Sequence, residues 1–309
     1  MSVMRSVLLA ASESRWLRER ASKAPFVRRS VSRFMPGESF DDMLVAARGL
    51  AEGGIGAVFT RLGEGVRELS EADAVAAHYV EGLGRIGAAG LSAEPSIKLT
   101  QLGLDIDAEQ GYRNARAVAE AARAARQYLW VDMEQSGYVD ATLDVVRRLR
   151  QDFTDVGVCL QAYLHRTPED LESLMAAGIG IRLVKGAYME PETVAIQKKS
   201  GVDAAYASLA RTMVAPASRA AGARAVFGTH DPVLIETIRS GASAAGVAKS
   251  AYEFHMLYGI QRAEQQRLAS AGAGIRVLIA YGEYWYPWYM RRLAERPANV
   301  WFVVKNLVG

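Results

Sequence analysis

The sequence predicts an α/β protein built as a closed (β/α)8 barrel of TIM type, with extra helices at its N-terminus. Two observations carry that prediction. From residue 54 onward, eight short runs rich in Val, Ile and Leu alternate with amphipathic helical stretches. These runs show little polar alternation, as strands covered on both faces should. The helical stretches also carry start and stop residues directly after the strands. A length of 309 residues exceeds the usual single domain but suits one closed barrel.

In chain order the strand runs are GAVFTRLG, PSIKLTQLG, YLWVDME, VGVCLQAYL, GIRLVKGAY, RAVFGTH, AKSAYEFHM and IRVLIAYG. Between the second and third lies DAEQGYRNARAVAEAARAARQ, an Ala-rich amphipathic helix opened by Asp107. DATLDVVRRLR fills the next gap with apolar residues at helical spacing. HRTPEDLESLMAAGIG offers Thr167 as N-cap, Pro168 at the first helical position and Gly178 just past the end. THDPVLIETIRSGA repeats that grammar with Asp231, Pro232 and Gly241.

Composition narrows the function. Half the residues are apolar and 23% are charged, as in a globular protein with enough core to fold alone. The formal charge of +3 is too small to suggest nucleic acid. Cys159 is the only cysteine, which excludes an intrachain disulfide framework and a thiolate metal cluster and points to a reducing compartment. Inside its apolar run it reads as a packed, inert thiol. His78, His165 and His255 lack the paired spacing of a metal site and read as structural or surface groups. No segment is long and apolar enough to cross a bilayer, and the start lacks a signal-peptide core. A cytoplasmic protein is expected.

Residues 1–36 differ from residues 37–309, which hold the barrel. Arg5, Arg15, Arg18, Arg20, Lys23, Arg28, Arg29 and Arg33 face only Glu13 and Glu19, with Leu, Trp and Phe interspersed. This basic amphipathic pattern fits helices packed on the domain, a surface touching anionic lipid, or an organellar transit peptide.

In a barrel of this kind the site forms where the C-terminal ends of the strands meet, so polar residues late in strands are the candidates. They are Lys98, Asp132, Gln161, Arg182, Lys185, Thr229 and His230. Each charge would cost several kcal/mol if left unpaired in an apolar interior. Either an internal network compensates, with Asp132 pairing to Lys98 or Arg182, or a ligand with negative charge or electron-rich ring atoms does so. Near the C-terminus, Arg291, Arg292 and Glu295 follow a dense aromatic cluster. Adjacent arginines on a helix point about 100° apart and can serve two anionic groups. The plain alternative is an exposed, salt-bridged helix.

Taken together, SIKLTQLGLDID, VDMEQS, CLQAYL, RLVKGAY, FGTHD, YEFHMLYGI and YMRRLAERPANV resemble the proline dehydrogenase family in its short monofunctional bacterial form. The resemblance implies a distorted (β/α)8 barrel that binds FAD non-covalently and oxidises L-proline to Δ1-pyrroline-5-carboxylate by hydride transfer from C5 to flavin N5. On the cofactor side it implies Arg182 against the flavin N5 edge, and Lys185, Gly186 and Ala187 along the ribityl and pyrophosphate side. It further implies Gln161 and Met133 on the isoalloxazine, Thr229 and His230 at the adenosine half, and Glu295 nearby. On the substrate side it implies Arg291 and Arg292 as the clamp of the proline carboxylate, completed by Lys98 and Asp132, with Tyr188 and Leu257 packing on the proline ring. Electrons would pass to a membrane quinone, which makes the basic N-terminal segment a candidate for peripheral membrane contact. The product would pass to a separate pyrroline-5-carboxylate dehydrogenase. Trp288 and Leu278 stand where family members often place tyrosines, which leaves proline against hydroxyproline open. Two other functions fit the pattern: a Schiff-base aldolase with Lys185 as nucleophile, and a binding barrel without catalysis.

Overall fold

Eight parallel strands alternate with helices in the computed structural model, which describes residues 31–63, 65–286 and 289–290. The strands are β1 (Gly56–Arg61), β2 (Ala93–Ile97), β3 (Leu129–Val131), β4 (Val156–Gln161), β5 (Gly180–Val184), β6 (Ala225–Gly228), β7 (Tyr252–Leu257) and β8 (Gly274–Tyr281). An additional helix, α1 (Phe40–Glu52), precedes β1. Between the strands run α2 (Leu69–Ala88), α3 (Ala108–Ala124), α4 (Val139–Asp152), α5 (Thr167–Ala176), α6 (Lys199–Val214), α7 (Pro232–Ala244) and α8 (Arg262–Ser270). Pairing of β1 with β8, from Gly56 opposite Arg276 to Arg61 opposite Tyr281, closes the cylinder. Closure leaves no strand edge to recruit another chain.

The predicted barrel is thus present, and local details differ. Asp107 caps α3 by accepting from the amides of Glu109 and Gln110, and Asp231 caps α7 by accepting from Val233 N at 3.1 Å. Thr167 is not a cap: Arg166 holds that position, and the Thr167 hydroxyl instead donates to the Gln161 carbonyl at 2.5 Å. The start of α5 is thereby tied to the end of β4. Gly241 lies inside α7, and the left-handed turn falls at Gly246, with φ 68°. Residues 249–251 form a 3-10 turn, so β7 begins only at Tyr252. β2 begins earlier than expected and carries Glu94 and Pro95 in its interior.

Because strand side chains alternate, every second residue points into the barrel. Toward the N-terminal ends this interior holds an ionic layer. Arg224 pairs with Glu94 at 2.8 Å and with Glu253, while Arg276 approaches Glu94 at 3.1 Å and Glu253 at 3.4 Å. Above it lies a small apolar layer of Val58, Trp130 and Val226. The large apolar core sits outside the cylinder, between the strands and the helices. Only the last residues of the basic N-terminal segment fall within the described range. Val31 and Met35 are buried, and the backbone of Arg33 lies so close to Gly259 that any Cβ there would strike the Arg33 carbonyl oxygen. That part packs on the domain; residues 1–30 lie outside the described residues.

Candidate active site

The mouth of the barrel is organised around a knot of four side chains from four consecutive strands. Arg182 sits in the middle of β5, only 3% exposed. Its neighbour in register on β4 is Cys159, whose Sγ accepts from Arg182 Nε at 2.8 Å. Arg182 Nη2 donates to Ser96 Oγ of β2 at 2.7 Å and to Asp132 Oδ1. Asp132, immediately after β3, also accepts from Ser96 Oγ at 2.9 Å. The guanidinium lies 5.2 Å from the centre of the Trp130 ring, close enough for a cation–π contact. Burial pushes the Cys159 thiol up to about 11, so it is protonated and inert toward electrophiles, as expected from the sequence. It is nonetheless part of the site, as is Ser96. The internal pairing that the sequence allowed is real, and it links Asp132 to Arg182 rather than to Lys98.

The knot does not satisfy Arg182 completely. Nη1 is buried and has no hydrogen-bond partner among the described residues. A buried donor without a partner costs roughly 1–3 kcal/mol, more when charged. Lys98, half-buried just beyond β2, forms no ion pair among the described residues, and its field acts on Glu134. Burial pushes the Glu134 carboxyl up, while Thr100 opposes the shift by donating through both its amide and its hydroxyl.

Other candidates surround the knot. Gln161 ends β4, buried, with Nε2 donating to the Glu134 carbonyl at 2.9 Å. Met133 is buried beside it in sequence. Gly186 has φ 112°, and a Cβ there would lie 2.3 Å from Tyr163 Cδ1. Only glycine fits this position, and the neighbour that demands it is a tyrosine ring of the protein itself. Ala187 is exposed and Tyr188 half-buried in the loop after β5. Thr229 Oγ1 accepts from the Asp231 amide at 3.1 Å. His230 Nε2 accepts from Leu257 N at 2.8 Å, which ties the end of β6 to the last residue of β7 and leaves the ring proton on Nδ1. Arg291, Arg292, Glu295 and Trp288 lie outside the described residues.

Lys185 behaves differently from the other cations. Its amine lies 2.6 Å from Asp203 and 3.0 Å from Asp231. The sequence marked Asp231 only as a helix cap and did not mark Asp203. A Schiff-base nucleophile must react as a free amine, whereas this amine is held in two ion pairs.

Histidine positions agree with structural roles. His78 Nε2 shares a 2.8 Å hydrogen bond with Tyr281 Oη, and His165 Nε2 one of 2.9 Å with the Glu192 carbonyl. His255 is buried in the barrel interior, edge-on to Trp130. Among the described residues no group of three or more His, Cys, Asp or Glu side chains could hold a metal, and no helix is long and apolar enough to cross a membrane.

Comparison with known proteins accounts for this arrangement. The family model described as proline dehydrogenase matches residues 43–305. The chain belongs to the proline dehydrogenase family. It is 33% identical over 306 residues to proline dehydrogenase 1 of Bacillus subtilis subsp. natto, covering 99% of each chain. It is 36% identical over 281 residues to the proline dehydrogenase of Deinococcus radiodurans, covering 89% of each. In fold it is similar to proline utilization A (PutA) from Bdellovibrio bacteriovorus inactivated by N-propargylglycine, with a TM-score of 0.82 at 23% identity over 94% of this chain. The match spans 36% of that larger protein. Membership of the proline dehydrogenase family makes the chain an enzyme, and Asp132, just past β3, stands at the strand end where barrels of this type carry their candidate catalytic residues.

Proposed function

We propose that the chain oxidises L-proline to Δ1-pyrroline-5-carboxylate in proline catabolism, with non-covalently bound FAD. The observation that carries this reading is the buried Arg182 with one nitrogen left over. A bound flavin would supply the two-electron acceptor for the hydride of proline C5, with a quinone as the onward acceptor. Everything else falls to the chain. Arg182 offers a fixed positive charge to the flavin edge that gains electron density, and a fixed charge in a dry site costs no reorganisation when reaction occurs. Asp132 keeps that guanidinium in place. Gln161 and Met133 border the ring, while Lys185, Gly186, Ala187, Thr229, His230 and Glu295 hold the rest of the cofactor.

Substrate binding rests on cations. Lys98 supplies one at the mouth, and Arg291 with Arg292 supplies the bidentate clamp on the proline carboxylate. Tyr188 and Leu257 wall the ring. The decisive experiment is the visible spectrum of the purified full-length chain loaded with FAD, before and after anaerobic addition of L-proline. Bleaching of the flavin is expected. A chain that takes up no FAD, or keeps its yellow colour with proline, excludes the reaction; trapping of a substrate on Lys185 by borohydride would restore the aldolase. Reoxidation by a soluble quinone in preference to oxygen is expected of the acceptor, and loss of liposome binding on deleting residues 1–36 is expected if that segment contacts the membrane.

A further inference from the structure

Two uncharged side chains bridge the ions at the heart of the site. Ser96 Oγ accepts from Arg182 Nη2 at 2.7 Å and donates to Asp132 Oδ1 at 2.9 Å. Cys159 Sγ accepts from Arg182 Nε at 2.8 Å and directs its own hydrogen at Asp132 Oδ1, 3.6 Å away. Each therefore takes a hydrogen bond from the cation and gives one to the anion. Ser96 is fully buried and Cys159 nearly so, so water does not compete for either role.

A guanidinium has five N–H donors in a rigid plane. Nε is taken by Cys159, and Nη2 by Ser96 and Asp132. Bonds on two different nitrogens remove the freedom to rotate in the plane, which a single ion pair would leave. The pair of N–H groups on Nη1 is what remains. A bridge of this type must be donor and acceptor at once. A thiolate could only accept, and the high thiol pKa keeps that form away at neutral pH.

We propose that Ser96 and Cys159 are positioning residues for the flavin oxidation proposed above, neutral bridges that fix the position and orientation of the Arg182 guanidinium and so of its charge relative to the cofactor. The inference rests on that reading of the site. It assigns the cysteine a mechanical role without thiol chemistry, and it makes hydroxyl and thiol interchangeable at position 159.

The test uses the full-length FAD-loaded chain and the variants Cys159→Ala, Cys159→Ser and Ser96→Ala. Three quantities are read: the flavin midpoint potential, kcat and KM for proline separately, and the melting temperature. Cys159→Ala and Ser96→Ala are each expected to lower kcat about tenfold, the equivalent of one hydrogen bond, with KM within about twofold of the parent. In both, the midpoint potential becomes more negative, because a displaced cation stabilises the reduced flavin less. Cys159→Ser is expected to restore potential and kcat to within about threefold. Should Cys159→Ala not fold, Ser96→Ala and Cys159→Ser carry the same comparison. The proposal is overturned if folded alanine variants keep the parental potential and kcat, or if Cys159→Ser loses both as fully as Cys159→Ala. A parental chain that proline does not bleach removes the underlying reaction instead, before any variant is compared.

Discussion

Replacing Asp132 by asparagine isolates the electrostatic core of the site. Arg182 is 3% exposed and the Asp132 side chain 18%, so the change removes the countercharge of a guanidinium that water cannot reach. Breaking a buried pair by removing one partner costs about 3–5 kcal/mol. Asparagine still offers an oxygen to Ser96 and to Nη2, and Asp132 is not fully buried, so the lower end applies, about 3 kcal/mol. For a barrel of 309 residues that lowers the melting temperature by about 4–6 °C. Adding Arg182→Met then removes the stranded cation and should recover about 2 kcal/mol, although it abolishes activity. The assay is calorimetric unfolding of the FAD-free chain at one protein concentration, for the parent, both single variants and the double variant. If Asp132→Asn melts within about 2 °C of the parent, or the double variant is no more stable than Asp132→Asn, the pair is not the strong element described.

Gly186→Ala forces a Cβ within 2.3 Å of Tyr163 Cδ1 at a backbone φ of 112°. A loss of about 3 kcal/mol or more in denaturant unfolding is expected, and Tyr163→Ala should relieve the steric part only. Burial holds the His255 imidazole down at about 4, against an ordinary value of 6.5. The unfolded chain therefore takes up a proton that the folded chain refuses between pH 6.5 and 4, and stability falls across that window by about 3 kcal/mol as pH drops. Glu253 adds to this below pH 4.5. Burial alone would raise its carboxyl, but His255, Arg224 and Arg276 outweigh burial and hold it at about 2, so its contribution is lost as pH falls from 4.5 toward 2. Urea midpoints from pH 7 to 4 should show the slope, and His255→Gln should flatten it above pH 4.5. Lys98→Met should raise KM for proline about 100-fold while FAD affinity measured by fluorescence titration is unchanged, the split that the proposed substrate-side role of this lysine requires.

The eight strands were legible because both faces are covered, which leaves unbroken apolar runs, and because residues late in those runs stand out when charged. Lys98, Asp132 and Arg182 were visible for that reason. Ser96 and Cys159 were not, since small neutral residues in apolar runs look like packing. They gain their role only through register, Cys159 beside Arg182 and Ser96 two strands further round. Asp203 looks like a helix-surface residue, and Asp231 was read as a cap, which it is; its second role beside Lys185 had no local signal. Glu94 lies just before the run PSIKLTQLG and so fell outside the expected strand. Its partners Arg224 and Arg276 come from far along the chain, and nothing local marks a glutamate as the inward residue of a strand. Gly186 was singled out correctly, but the close neighbour was a ring of the chain itself.

Trp130 touches two guanidinium groups at once: Arg182 lies 5.2 Å from its ring and Arg224 5.3 Å, while its indole nitrogen donates to Glu94 at 2.7 Å. A single aromatic plate therefore couples Arg182 to the charges at the floor of the barrel. Substitutions at Glu94 or Arg224, far from any substrate, tilt that plate, and their first symptom should be a slower enzyme before it is a less durable one.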